Sequence, residues 1–188
     1  VYGALGDAPA DLDDPALLKG FFAAIRECAQ RGWLQAYHDR SDGGLFVTLA
    51  EMAFASQCGL DVDLGPVPDP IAMLYAEELG AVVQVRDEDL APVIATLARH
   101  GLGAHTRALG RPVEGARVRI GVQGRTLLDE SRTDLRRAWS ETSFRMRELR
   151  DDPECAREEY AALADEADPG LHAHATFDVH EDVAAPFV

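Results

Sequence analysis

The feature that most constrains this chain is a hydrophobic periodicity that keeps switching between helical and strand spacing, with glycine or proline at most switches. Asp13-Asp14-Pro15 places acids at a helix cap and proline in the first turn, and Leu17, Leu18, Phe21, Phe22 and Ile25 follow at three-to-four spacing until Gly32. Residues 34–38 read as a short strand, 39–44 as a tight polar turn and 45–55 as a buried helix. Residues 59–64 alternate apolar and acidic, as a half-buried strand does, and Pro66, Pro68 and Pro70 close that strand. A helix over 71–79 and a strand over 81–85 come next. Asp87 or Asp89 caps a further helix running to His100, which Gly101 and Gly103 end. Two strands fit 105–109 and 117–122, with Gly124 turning the chain toward Thr126-Leu127-Leu128. Such alternation predicts an α/β (α+β) fold, with helices packed on a mixed sheet.

The texture changes after residue 128, so two units are expected: 1–128 as the folded domain and 129–188 as a helical, irregular and acidic connector. Leu135, Trp139, Thr142 and Met146 or Leu149 share one helical face amid charges, and a second acidic helix fits 154–164. Asp168-Pro169-Gly170 reads as a turn and residues 175–179 as a strand. Residues 151–188 hold 11 acids against one base, Arg157, which is the pattern of a solvated, loosely packed segment.

Composition excludes several function classes. With 47% apolar residues the chain can bury a core, and no apolar run approaches the roughly 18 residues that span a bilayer. Val1-Tyr2-Gly3 lacks an initiator Met and a signal pattern, so a soluble chain, cut short at its front, is expected. A net charge of −15 opposes sequence-independent binding to nucleic acid. Cys28, Cys58 and Cys155 are odd in number and lack metal-ligand spacing, so they read as reduced cytoplasmic thiols. Carboxylates around Cys155 oppose thiolate formation, and Cys28 and Cys58 read as small buried hydrophobes.

The stretch that carries chemistry is His38-Asp39-Arg40-Ser41-Asp42-Gly43-Gly44-Leu45, which joins a strand end to a helix start. Backbone N–H groups at a helix N-terminus favour anions, and the glycine pair lets a ligand approach the main chain. Asp39 or Asp42 can hold Mg²⁺, and Ser41 can donate to a phosphate oxygen. The same residues also suit a plain N-cap and turn. His38 reads either as a general base or as a hydrogen-bonded structural residue. Glu77 and Glu78 read as metal or amine ligands, or as helix-end groups. His172, His174 and His180 read as solvated residues rather than a metal site.

The block from Ala36 to Phe54, with Asp39-Arg40-Ser41-Asp42-Gly43-Gly44 at its centre, closely resembles a signature of the large phosphoribosylformylglycinamidine synthases. Further similarity follows in order: Glu77 to Val85, Glu130 to Arg136 with Trp139 and Glu141-Thr142, Asp168-Pro169-Gly170, and Glu181 to Pro186. The resemblance implies an aminoimidazole-ribonucleotide-synthetase-like C-terminal domain, from the second of two such halves, followed by a connector toward a glutaminase domain. It implies an ATP-dependent ligase of purine biosynthesis, which converts formylglycinamide ribonucleotide with ammonia from glutamine into the amidine. Residue by residue, Asp39 matches a Mg²⁺ ligand and Ser41 a nucleotide contact, at the ATP/ADP site that is held structurally. The remaining metal ligands, at least one strand and the glutaminase nucleophile would lie outside this chain, leaving it inactive alone. Ala76 departs from the pattern, which has a polar residue there. Thiamine-phosphate and selenophosphate enzymes share a similar turn, so a related kinase or synthetase, or a stand-alone nucleotide-binding module, is the alternative.

Overall fold

The computed structural model describes residues 11–167, 173–182 and 184–187. Helix α1 (Pro15–Gln30) begins where the Asp14 carboxylate accepts the Ala16 N–H at 2.8 Å, and the chain leaves it through Gly32 at a φ of +69°. There follow β1 (Leu34–Asp39), α2 (Gly44–Ser56), β2 (Gly59–Asp63), α3 (Pro70–Tyr75), β3 (Ala81–Val85) and α4 (Asp87–Arg99). After a 3-10 turn (Gly103–His105) come β4 (Gly110–Val113), β5 (Arg117–Val122), β6 (Arg125–Ser131), α5 (Arg132–Arg150) and α6 (Pro153–Ala162). Among the described residues no helix is long and apolar enough to cross a membrane.

The expected mixed sheet is present as four strands in the order β4-β2-β5-β6, with β2 and β5 parallel and the outer pairs antiparallel. The alternation in β2 sends Leu60 and Val62 into the core, with Leu64 just beyond, and leaves Asp61 and Asp63 outside. There they meet Leu45, Leu49 and Ala53 of α2 and Val118 and Ile120 of β5. Fully burying a leucine such as Leu64 contributes about 1.5–3 kcal/mol. The outer face of the sheet is solvated, and across it Arg111, Asp61, Arg119 and Asp129 stand opposite one another in a row of alternating charge.

β1 and β3 pair separately, antiparallel, with Tyr37 opposite Val83 and Asp39 opposite Ala81. A second core cluster lies between α1 and α4, where Ala24, Cys28, Val93, Leu97 and Leu102 are buried, with Trp33, Leu34 and Val85 packed against it. Burial pushes the Cys28 thiol up, so that cysteine behaves as a hydrophobe. Cys58 is only half-buried, its Sγ 2.9 Å from the Ser56 hydroxyl. Cys155 is exposed, and the neighbouring Asp152 carboxylate raises its thiol as expected.

Several elements depart from the sequence reading. No strand forms over 105–109; the strand is β4, where Gly110 lets the chains close, since a Cβ there would lie 2.0 Å from the Asp61 carbonyl oxygen. Pro112 is tolerated because β4 is an edge strand. Helix α3 stops at Tyr75, as Ala76 turns extended, instead of reaching residue 79. The N-cap of α4 is Arg86, which places Asp87 and Asp89 inside the first turn, where Arg86 pairs with Asp89 at 2.8 Å. Residues 175–179 form no strand: among the described residues no strand edge pairs with them, and the Asp178 carboxylate accepts the His180 N–H in a local turn instead. The turn expected at 168–170 and His172 lie outside the described residues.

The segment expected as a connector from residue 129 begins in the middle of β6, and α5 continues that strand without a loop, Ser131 serving as its N-cap. Leu135 packs on the main core and Trp139 tilts against Phe54 of α2, with ring centres 6.0 Å apart. Met146 and Leu149, expected on the same face, are exposed. The last turns of α5 instead bury Phe144, which stacks on Tyr160 of α6 at 4.2 Å, so α6 is docked rather than loose.

Candidate functional site

The acidic glycine turn sits where β1 ends and α2 begins. Gly43 and Gly44 take φ of +82° and +67°, conformations that side-chain-bearing residues rarely adopt, and Gly43 is the N-cap of α2. Its cap position carries no side-chain hydrogen bond, so the plain N-cap role open to Asp39, Ser41 and Asp42 is not used. Gly44 is buried, and a Cβ there would lie 2.7 Å from the Leu74 carbonyl oxygen and 2.8 Å from the Tyr75 carbonyl carbon. The close approach that glycine permits here is to α3, not only to a ligand.

Asp39 is exposed at the last position of β1, and its carboxylate accepts a short hydrogen bond from the Tyr37 hydroxyl. Strand alternation puts both residues on one face. Partial burial, then the Asp39 carboxylate, push the Tyr37 phenol up to about 12, so it donates as a neutral phenol. The Asp39 main chain is pinned from three sides. Its carbonyl accepts from the Thr48 hydroxyl at 3.2 Å and from His38 Nδ1 at 2.7 Å, and the next peptide N–H, of Arg40, donates to the Gly80 carbonyl at 2.8 Å.

Ser41 and Asp42 are exposed, and among the described residues neither side chain makes a hydrogen bond or ion pair; the Ser41 carbonyl accepts from the Gly44 N–H at 2.9 Å. Glu77 lies in the loop after α3 and accepts the Gly43 N–H at 2.9 Å. It therefore belongs to the turn as a support rather than to a helix end, while Glu78 stays exposed. His38 is held at both nitrogens, by the Asp39 carbonyl and by Glu51 at 2.8 Å, which is the structural alternative for that residue. His174 and His180 are exposed.

Chemically, the turn offers one hard carboxylate at Asp39, an exposed hydroxyl at Ser41 and an exposed carboxylate at Asp42, while the Gly43 and Gly44 amides are already spent on Glu77 and on the Ser41 carbonyl. That donor set fits one Mg²⁺ ligand and one phosphate contact, not a complete metal site: among the described residues no three His, Cys, Asp or Glu side chains gather to hold an ion. Sequence reasoning missed Tyr37 and Glu51 as parts of this region, and it singled out Glu77 and Trp139 without placing them here. Strand parity signals Tyr37, and the helical spacing from Gly44 signals Thr48, whose hydroxyl lies 2.9 Å from the Gly44 carbonyl. Nothing local signals Glu77 or Trp139, which arrive from distant segments.

The sequence profile described as AIR synthase related protein, C-terminal domain, matches residues 2–123. The chain belongs to this family. The AIR synthase related C-terminal domain thus covers β1, α2 and the turn between them. Among solved structures, the chain is similar in fold to Thermotoga maritima PurL complexed with ATP, at 18% identity and a TM-score of 0.57, over 65% of this chain and 22% of that one. Thermotoga maritima PurL complexed with FGAR gives 19% identity and a TM-score of 0.58, over 65% and 21%. Phosphoribosylformylglycinamidine synthase II from Thermotoga maritima gives 17% identity and 0.55, over 63% and 21%. The chain therefore spans about a fifth of the length of the structures it matches.

Proposed function

We propose that this chain is part of an ATP-dependent phosphoribosylformylglycinamidine synthase, and that its glycine turn contributes Asp39 to Mg²⁺ and Ser41 to a bound ATP or ADP. The observation that carries the reading is the unspent chemistry of the turn: the N-cap of α2 is Gly43, whose N–H goes to Glu77, so the Ser41 hydroxyl and the Asp42 carboxylate are left exposed two and three residues after the exposed Asp39. Membership of the AIR synthase related C-terminal domain family supports it, as does the likeness in fold to PurL structures complexed with ATP and with FGAR.

Bound Mg²⁺ would screen phosphate charge; the chain's own part is to hold and orient. Asp39 offers an anionic oxygen while Tyr37 fixes the carboxylate's rotation. Ser41 donates its hydroxyl, and Asp42, Gly43 and Gly44 shape the turn. The wider reading takes formylglycinamide ribonucleotide and glutamine as substrates of the whole enzyme, in the cytoplasm, and residues 129–188 as the connector toward a glutaminase domain.

In the full-length protein, Asp39→Asn keeps the side chain's shape and removes its charge. Mg²⁺-dependent nucleotide retention should fall by more than it does in Ser41→Ala, because a carboxylate leaving a small Mg²⁺ shell costs more than the roughly 1–3 kcal/mol of one hydroxyl contact to a charged group. A nucleotide held structurally would also lower the melting temperature when lost. Unchanged retention and melting in Asp39→Asn, with and without Mg²⁺, would end the assignment.

A further inference from the structure

A continuous hydrogen-bonded line runs from α5 to the backbone of Asp39. The Trp139 indole N–H donates to one Glu51 oxygen at 2.8 Å, and His38 Nε2 meets the other at 2.8 Å. His38 Nδ1 lies 2.7 Å from the Asp39 carbonyl, which only accepts, so Nδ1 carries a proton and donates. From the far side the Thr48 hydroxyl reaches the same carbonyl, and the Arg40 N–H is tied to Gly80. The peptide between Asp39 and Arg40 is thus fixed at both ends, and the direction in which the Asp39 side chain leaves the strand is fixed with it.

Two observations set this line apart from ordinary packing. Trp139 remains 57% exposed, so burial does not account for placing an indole there, while its one polar atom is spent on Glu51. Glu51 has both oxygens engaged, one by a residue 88 positions away and one by the residue that precedes Asp39. Without those partners a glutamate samples many rotamers.

We propose that Glu51 is the positioning residue of the Asp39 site, and that Trp139 makes its orientation depend on α5 being docked. The segment that follows the domain thereby acts on the metal-binding turn without touching the ligand. This rests on the reading of Asp39 as a Mg²⁺ ligand.

The test measures Mg²⁺ half-saturation at fixed ADP in the full-length protein, beside the melting temperature of the nucleotide-free protein. Glu51→Ala should raise the half-saturation by about tenfold, and Trp139→Phe, which keeps the ring on Phe54 but loses the N–H, by about threefold. Glu51→Gln still accepts from Trp139 and offers an N–H to His38, so it should stay within about twofold of wild type. If Glu51→Ala fails to fold, Trp139→Phe decides. Should Asp39→Asn raise the half-saturation while Glu51→Ala and Trp139→Phe leave it alone, positioning is wrong, whatever happens to melting. Should Asp39→Asn itself leave it unmoved, the metal-site reading fails first and this proposal falls with it.

Discussion

Glu77 accepts the backbone N–H of Gly43 at 2.9 Å from 34 residues along the chain, so the loop after α3 seats the first turn of α2. A carboxylate here does for the helix N-terminus what a capping side chain does elsewhere. Glu77→Ala should therefore lower stability by about 1 kcal/mol, and Glu77→Gln, which retains an acceptor oxygen, should recover most of it. Urea unfolding of the three proteins checks this; equal midpoints would show that the contact contributes nothing.

Two glycines with similar backbone angles should respond very differently to alanine. Gly44 has a φ of +67° and faces the Leu74 and Tyr75 backbone at 2.7 and 2.8 Å, which cannot swing aside. Gly32 has a φ of +69° with nothing within 4 Å. Gly32→Ala should cost about 1–2 kcal/mol of conformational strain alone. Gly44→Ala should cost more than twice as much, because α2 and α3 must separate, and comparison of the two melting curves decides it.

Asp63 should make stability fall in acid. Its carboxylate accepts the backbone N–H groups of Gly124 at 2.7 Å, Gly65 at 2.7 Å and Gln123 at 3.0 Å, which holds its pKa below the usual carboxylate value. A folded pKa lower than the unfolded one, about 3.9, stabilises the fold above that value, and the contribution is lost as pH falls through the folded pKa. Asp63→Asn should flatten the fall in stability below about pH 4. Unfolding curves between neutral and acidic pH measure the slope, and an unaltered slope would show that another group governs it.

The Tyr160 side chain joins α6 to α5 through its stack on Phe144 and a hydrogen bond from its hydroxyl to the Arg137 carbonyl at 3.1 Å, alongside the Arg157–Glu148 ion pair. Tyr160→Ala should release α6 to exchange while α2 and β5 keep their protection. The aromatic pair is worth about 0.5–1.5 kcal/mol beyond its buried area, so the protection of α6 amides should drop roughly tenfold or more. Hydrogen exchange resolved by segment reads this directly; loss of protection throughout the chain would mean that α6 is part of the global core.

How much was legible depended on distance along the chain. Helices and strands up to β3 were readable because each is marked by short-range signals: Asp14 and proline at the start of α1, the glycine pair before α2, the apolar-acidic alternation of β2. Reading failed where the deciding partner is remote. β4 falls on Gly110–Val113 because only there can it lie against Asp61, and α3 ends early as the loop beyond Tyr75 carries Glu77 to Gly43. The apolar face read along α5 divides for the same reason, since α6 takes up Phe144 and leaves Met146 and Leu149 exposed.

By itself the sequence determined the α/β character and the strand–turn–helix at residues 34–55, which rest on spacings of a few residues, and its resemblance to a known family singled out Asp39 and Ser41 as candidates. Only the tertiary structure decided that the strands divide into two sheets, that Gly43 rather than an acid caps α2, and that Glu51, Trp139 and Glu77 surround the turn. Periodicity and capping are properties of neighbouring residues, whereas a hydrogen bond between residues 34 or 88 positions apart exists only after the core between them has packed.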